Sequence, residues 1–227
     1  MKRKLLNKVD LISIGLCAAT ILPGLLVYDR LPERIAVNFD ISGEPNSYAG
    51  RWFAVFGLPI VISLLQTALC VTSNLLNREN ELSRAEKVIR FLTPVMAYVI
   101  QISTLMYALG RLTSMLAIVG ILETVLLLVY GNYAPKMRRN TFFGIRTPHT
   151  LANQEVWDKT HRFAGVLYII AGICCMILTV TEAHMVLLLI LLFVTVAIPF
   201  LYSEILYRRI RRRETAAGQN LTEKNEM

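Results

Sequence analysis

Residues 156–180 read VWDKTHRFAGVLYIIAGICCMILTV. The stretch from Val156 to Arg162 is polar, and from Phe163 to Val180 no Asp, Glu, Lys or Arg occurs. A helix running through both parts starts at a polar boundary and ends in lipid. The uncharged run has the length that an α-helix needs to cross a hydrocarbon core about 30 Å thick. Five more apolar runs of similar length flank it, the last two with a single Glu each: Leu11–Tyr28, Trp52–Leu76, Phe91–Leu109, Leu112–Tyr130 and Met185–Leu206. Hydrophobic residues make up 55% of the 227-residue chain, mean hydropathy is +0.50, and the apolar residues come in blocks rather than amphipathic periods. That excludes an ordinary soluble domain. The pattern predicts an all-α membrane protein, a bundle of six transmembrane helices. Pro23, Pro59, Pro94 and Pro199 fall inside or near the ends of the runs, where neighbouring helices can satisfy the freed carbonyls. The first run follows Lys2, Arg3, Lys4 and Lys8 and lacks a small-x-small site before Asp29, so it reads as a retained signal anchor.

Charge sets the orientation. With the N-terminus inside, 20 of the 24 Lys and Arg residues fall in inner segments, leaving Arg30, Arg34, Arg51 and Arg111 outside. This is the positive-inside pattern for an even number of spans with both ends in the cytoplasm. The pI near 9.5 follows from it. Because the basic residues are spread over four membrane-flanking segments, they point to the lipid bilayer as partner and not to direct nucleic-acid binding. The chain is expected to divide into residues 1–76, two spans with an outer loop at 29–51; a cytoplasmic loop at 77–90; a transmembrane hairpin at 91–131; a loop plus two spans at 132–207; and a disordered basic tail at 208–227.

The inner segment from Asn132 to Arg162 is the most specialised. Pro148 holds Thr147 extended, so Gly144–Pro148 (GIRTP) is a constrained, non-helical approach. Its Arg146 can reach a carboxylate, phosphate or headgroup through a planar fork. Asn153 is placed to cap a helix, with Glu155–Lys159 and Asp158–Arg162 as i,i+4 pairs on one side. Trp157, Thr160 and His161 form the other stripe, which describes an interfacial helix with Trp157 at the headgroup boundary. His161 is expected to hydrogen-bond within the loop or to sense pH.

In the outer loop, alternation puts Ile35, Val37, Phe39 and Ile41 on one face of a short strand. A turn is expected at Gly43-Glu44-Pro45-Asn46. Asn38 and Asp40 on the polar face, with Gly43 and Pro45, are the candidate ligand contacts; the alternative is a loop that only caps the bundle. Within the membrane the notable residue is Glu123. Only Gly110 and Arg111 separate the third and fourth runs, so a tight antiparallel hairpin is expected, with Glu123 hydrogen-bonded to Tyr98 or Gln101. Such an acid serves either a proton or ion path or a bond between helices.

Cys17, Cys70, Cys174 and Cys175 lie in apolar runs and read as packing residues. His149 and His161 have no recognised ligand spacing, so neither metal nor cofactor is expected, and no nucleotide, zinc-protease or hydrolase motif occurs.

These residues carry a resemblance. NYAPKMRRNTFFGIRTPHTLANQEVWDKTHRFAG, Asn132 to Gly165, resembles the signature of the SdpI family of bacterial membrane proteins. The outer loop, with Leu31-Pro32, Ile35, Phe39, Gly43 and Pro45, is similar to the N-terminal domain of unknown function that often accompanies it. Departures from the pattern are His149, where the family usually has Trp, and Asn38 and Asp40, which replace the common His and Asn.

The resemblance implies a non-enzymatic protein of the bacterial cytoplasmic membrane, acting in immunity against a secreted membrane-active peptide toxin and in signal transduction. It also implies a cytosolic transcriptional repressor as partner. On this view Arg146, Thr147, Pro148, Trp157, Thr160, His161 and Arg162 form the inner coupling element. Two other classes remain: a small-solute or proton transporter centred on Glu123, and a lipid-headgroup enzyme using Arg146, Thr160 and His161.

Overall fold

A computed structural model describes residues 5–76, 82–182 and 185–226. Among these residues, six helical stretches are long and apolar enough to cross a membrane. The first is α1 (Lys8–Ala19) followed after Thr20 by α2 (Ile21–Val27). The second is a π-helical turn, Phe53–Gly57, running into α3 (Leu58–Leu76). The others are α4 (Arg84–Ala108), α5 (Leu116–Tyr133), α7 (Gln154–Val180) and α8 (Met185–Glu226), with the short α6 (Pro148–Ala152) before α7.

Side-chain caps carry the helices beyond their apolar runs. Ser83 and Glu86 form a reciprocal capping box, Glu86 N–H donating to Ser83 Oγ at 3.2 Å and Ser83 N–H to Glu86 Oε2 at 2.7 Å. Hence α4 begins at Arg84 and takes in the last part of the stretch 77–90 expected as loop. At the other end α8 continues through Glu226, so the tail at 208–227 differs from the disorder expected of it: up to that residue the backbone is helical. Within α8, Arg208 Nε donates to Glu204 Oε1 at 2.6 Å, an i,i+4 pair with the acid first.

Two prolines inside the spans are each matched by a glutamine from a neighbouring helix. In the π-turn, Leu58 N–H donates to Phe53 O, five residues back. The next such bond would need an N–H on Pro59, which has none, and Gln101 Nε2 of α4 donates to Ala54 O instead at 3.1 Å. In α4, Pro94 leaves Arg90 O free, and Gln66 Nε2 of α3 donates to it at 3.1 Å. Gln101 is therefore committed to the second span, and it does not form the expected pair with Glu123.

The pairing of helices also departs from expectation. Residues 109–115 separate α4 from α5, and the closest helix partner of α5 is α7. A Cβ on Gly131 would lie 2.9 Å from Gly165 O, and a Cβ on Gly165 would lie 2.9 Å from Gly131 O. Small residues at this crossing let the two backbones touch, the usual way for helices to associate in lipid. The result is two halves, α1 to α4 and α5 to α8. Their outer surfaces are apolar, with Leu26, Val180 and Phe193 more than 70% exposed, as hydrocarbon contact requires.

The outer loop is a two-stranded antiparallel hairpin, β1 (Arg34–Phe39) with β2 (Pro45–Gly50). The register slips between Ala36 and Phe39, so the simple alternation fails: Ile35 and Ala36 are both buried, while Ile41 lies past the strand and is exposed. The hairpin rests on Val55 and Leu105, and Phe39 meets Tyr107 edge-on at 5.0 Å, at the end of the bundle away from the inner loop. The turn lies at Asp40–Glu44, earlier than predicted: Asp40 Oδ1 accepts from Ser42 N–H at 2.8 Å and Glu44 N–H at 3.0 Å, and Gly43 has φ +82°. Pro45 and Asn46 belong to β2.

Candidate functional site

The inner loop folds into a knot on the first turns of α7. Asn153 starts that helix, its Oδ1 accepting from Glu155 N–H at 2.8 Å and Val156 N–H at 3.2 Å. The helix then turns Val156, Trp157, Thr160, His161 and Ala164 inward as one buried stripe. Trp157 is completely buried, and its indole N–H donates to Met137 O at 3.0 Å. It therefore lies inside the protein and not at a headgroup boundary; a carbonyl of the incoming loop occupies the position that interfacial water would take.

His161 stacks on Trp157 with ring centroids 4.0 Å apart. Ile145 N–H donates to His161 Nε2 at 3.0 Å, which assigns the proton to Nδ1, 2.9 Å from Trp157 O. Both ring nitrogens are thereby used. Ile145 is held at its carbonyl too, by the buried Thr150 hydroxyl at 2.8 Å. The chain reaches this position through Gly144, whose φ is +97° and whose missing Cβ would lie 2.4 Å from His161 Nε2. Only glycine meets both the backbone and the space requirement.

The far side of the loop is clamped to α8. Thr147 is extended (φ −109°, ψ 160°) and caps α6, Thr150 N–H donating to its Oγ1 at 3.1 Å. Ser203 Oγ donates to the same hydroxyl at 3.2 Å. His149 pairs with Glu204 and stacks on Tyr207 at 4.2 Å. What remains outward is cationic: Arg146 is exposed, with Nη1 donating to Thr141 O at 2.7 Å, and Arg162 and Pro148 are exposed as well.

Residues 136–203 match the model of the SdpI/YfhL protein family. This part of the chain is similar to that family. Residues 15–62 match the domain of unknown function DUF1648, covering most of the first span, the hairpin and the start of the second span. The chain is similar to the immunity protein SdpI of Bacillus subtilis (strain 168), 24% identical over 195 residues, which cover 84% of this chain and 91% of that protein. No solved structure matches the chain. With six membrane-length helices among the described residues, the chain is a multi-pass membrane protein with one match to each of these two family models.

The expected site residues separate into distinct groups around the SdpI-family knot. Trp157, Thr160 and His161 are brought together inside it, Thr147 is half-buried on the side toward α8, and Arg146, Pro148 and Arg162 stay at its surface. Of the expected ion pairs, Lys159 Nζ meets Glu155 Oε1 at 2.5 Å, whereas Asp158 accepts from Gln154 at 2.9 Å instead of meeting Arg162. In the hairpin, Asp40 is used by its own turn, and Asn38 Oδ1 accepts from Phe39 N–H at 3.0 Å while its side chain is exposed. Glu123 is buried against α7 near Cys175, one carboxyl oxygen lacking a hydrogen-bond partner among the described residues; Tyr98 is half-buried on α4. No cluster of metal-ligating residues occurs among the described residues.

One polar cluster escaped the sequence reading. Arg90, counted there as a basic anchor in a loop, is 3% exposed and paired with the fully buried Asp10 of α1. Its Nη2 donates to Ser73 Oγ at 2.8 Å and Asn74 Oδ1 at 3.0 Å, and Asn74 Nδ2 donates to Asp10 Oδ2 at 2.7 Å. The cluster ties α1, α3 and α4 at the end of the bundle where Thr141 of the inner loop reaches Leu76 O at 3.4 Å. A signal was present: Asp10 is the one acid before Asp29, set among Lys2, Arg3, Lys4 and Lys8.

Proposed function

We propose that this chain is an immunity protein of the SdpI type that protects its membrane against a secreted membrane-active peptide and reports that peptide to the cytoplasm. The hairpin faces outward, where Asn38, Gly43 and Pro45 are its contact surface. The SdpI-family knot faces inward, where Arg146 and Arg162 offer cations to an acidic surface of a cytosolic repressor. The carrying observation is that these two elements lie at opposite ends of one bundle, the hairpin on Val55 and Leu105 and the knot on the first turns of α7. The basic residues favour this orientation, 20 of 24 lying on the side of the knot in the positive-inside count. The relative's name, an immunity protein, supports the functional class.

The reading is non-enzymatic. Two of the three groups a headgroup enzyme would need are withdrawn from the surface: His161 uses both nitrogens on backbone, and Thr160 is buried. A second reading, transport of protons or a small solute, rests on Glu123 and its unpartnered buried oxygen.

Expression in a strain sensitive to a related peptide toxin separates them. Wild type is expected to raise survival, and Arg146→Ala to keep protection while losing repressor recruitment, at equal membrane abundance. Glu123→Gln is expected to leave protection intact. Unchanged sensitivity to every related peptide tested contradicts the immunity reading, and loss of ion flux with normal protection in Glu123→Gln supports transport.

A further inference from the structure

The seam between the two halves of the bundle holds a cavity of about 490 Å³, walled by α3, α4 and α5 and closed at one end by Phe142 and Phe143 of the inner loop. A volume of this size, mostly apolar with a few convergent polar groups, has the character of a ligand site. Its apolar walls include Leu65, Leu69, Met96 and Ile100; its polar pole is Gln66, Arg90 and Thr93. Gln66 is spent on the carbonyl freed by Pro94. Arg90 is different. It is 97% buried, its terminal nitrogens serve Asp10, Ser73 and Asn74, and its Nε has no hydrogen-bond partner among the described residues. The Phe143 ring lies over the guanidinium, its centroid 6.0 Å from Cζ. A buried Nε–H without an acceptor, on a guanidinium otherwise paired, leaves the site short of one oxygen.

We propose that this cavity binds a single acyl chain of a membrane amphiphile, whose carbonyl or carboxylate oxygen accepts from Arg90 while the tail runs along α3 and α4. Depth favours this occupant. Arg90 lies near the start of α4, and from it to Ile100 the helix rises about 15 Å, half of a hydrocarbon core about 30 Å thick. One leaflet's chain therefore fits with its oxygen at Arg90 and its tail toward Ile100. The mouth is flanked by exposed Leu65, Leu69 and Ile100, which face hydrocarbon in a six-span protein. Phe142 and Phe143 also line a second cavity, of about 280 Å³, shared with Gly144, Ile145 and His161. Phe142 and Phe143 are thus walls common to the first cavity and the knot. The inference stands independently of the immunity reading.

The test is photolabelling of the full chain, purified in a mild detergent, with palmitic acid carrying a diazirine on its tail and, in a second arm, with phosphatidylglycerol carrying the same group on one chain. Peptide mapping is expected to place label on α3 and α4 about tenfold above the lipid-facing stretch 166–173 of α7, in the free-acid arm, the phospholipid arm or both, which tells a free acid from an esterified lipid. Unlabelled palmitate is expected to remove that excess and hexadecane, which has no acceptor, to leave it. Thr93→Trp, which fills the cavity, and Leu69→Trp, at its exposed mouth, should each abolish the excess with α7 labelling unchanged. Equal labelling of α4 and α7 in both arms, excess that survives both substitutions, or equal competition by hexadecane overturns the proposal.

Discussion

At the scale of single residues, the SdpI-family knot depends on Gly144. Its backbone is left-handed and the space beside it belongs to His161 and Trp157. Gly144→Ala is expected to cost about 2–3 kcal/mol, from backbone strain plus displacement of the imidazole that accepts from Ile145. In thermal unfolding followed by tryptophan fluorescence this appears as a midpoint lowered by about 5 °C or more; an unchanged midpoint contradicts the geometry. Some of this was legible beforehand. The spacing of Trp157, Thr160 and His161 announces one helix face, and Pro148 announces an extended Thr147. The partners were not legible, because Met137 and Ile145 reach that face through a loop whose path no periodicity describes. The same holds for Asp10 and Arg90, which meet only because α1 packs on α4.

At the scale of elements, each span is a run of apolar sequence, and the starts of α1, α4 and α7 are set by the polar caps Asn7, Ser83 and Asn153, so those runs were readable while their boundaries were not. β2 was missed because Pro45-Asn46-Ser47 has turn composition; pairing with β1 makes it a strand. The nearness of α4 and α5 in sequence suggested a tight pair, yet backbone contact at Gly131 and Gly165 joins α5 to α7. The proline and glutamine pairs give the sharpest element-level test. Gln101→Leu is expected to destabilise by about 1–3 kcal/mol, since it strands Ala54 O. Adding Pro59→Ala restores an N–H to the same turn and should recover part of that loss. A double-mutant cycle in denaturant measures the coupling, and strictly additive effects would falsify this account of the π-turn.

At the scale of the whole molecule, the two halves carry different matches: a hairpin-capped half with the DUF1648 match and a half that carries the knot and the SdpI/YfhL match. Opposed ends of one bundle acquire functional meaning only if the membrane places them in different compartments, and the distribution of basic residues is the argument for the proposed orientation. The central claim is thus that the hairpin is outside and the knot inside. Single cysteines at Ser47 of β2 and at Arg139 of the inner loop, both exposed positions, test it with a membrane-impermeant maleimide, the wild-type chain giving the background. In intact cells Ser47→Cys is expected to label and Arg139→Cys to stay unlabelled until the membrane is opened; labelling of Arg139→Cys in intact cells contradicts the account.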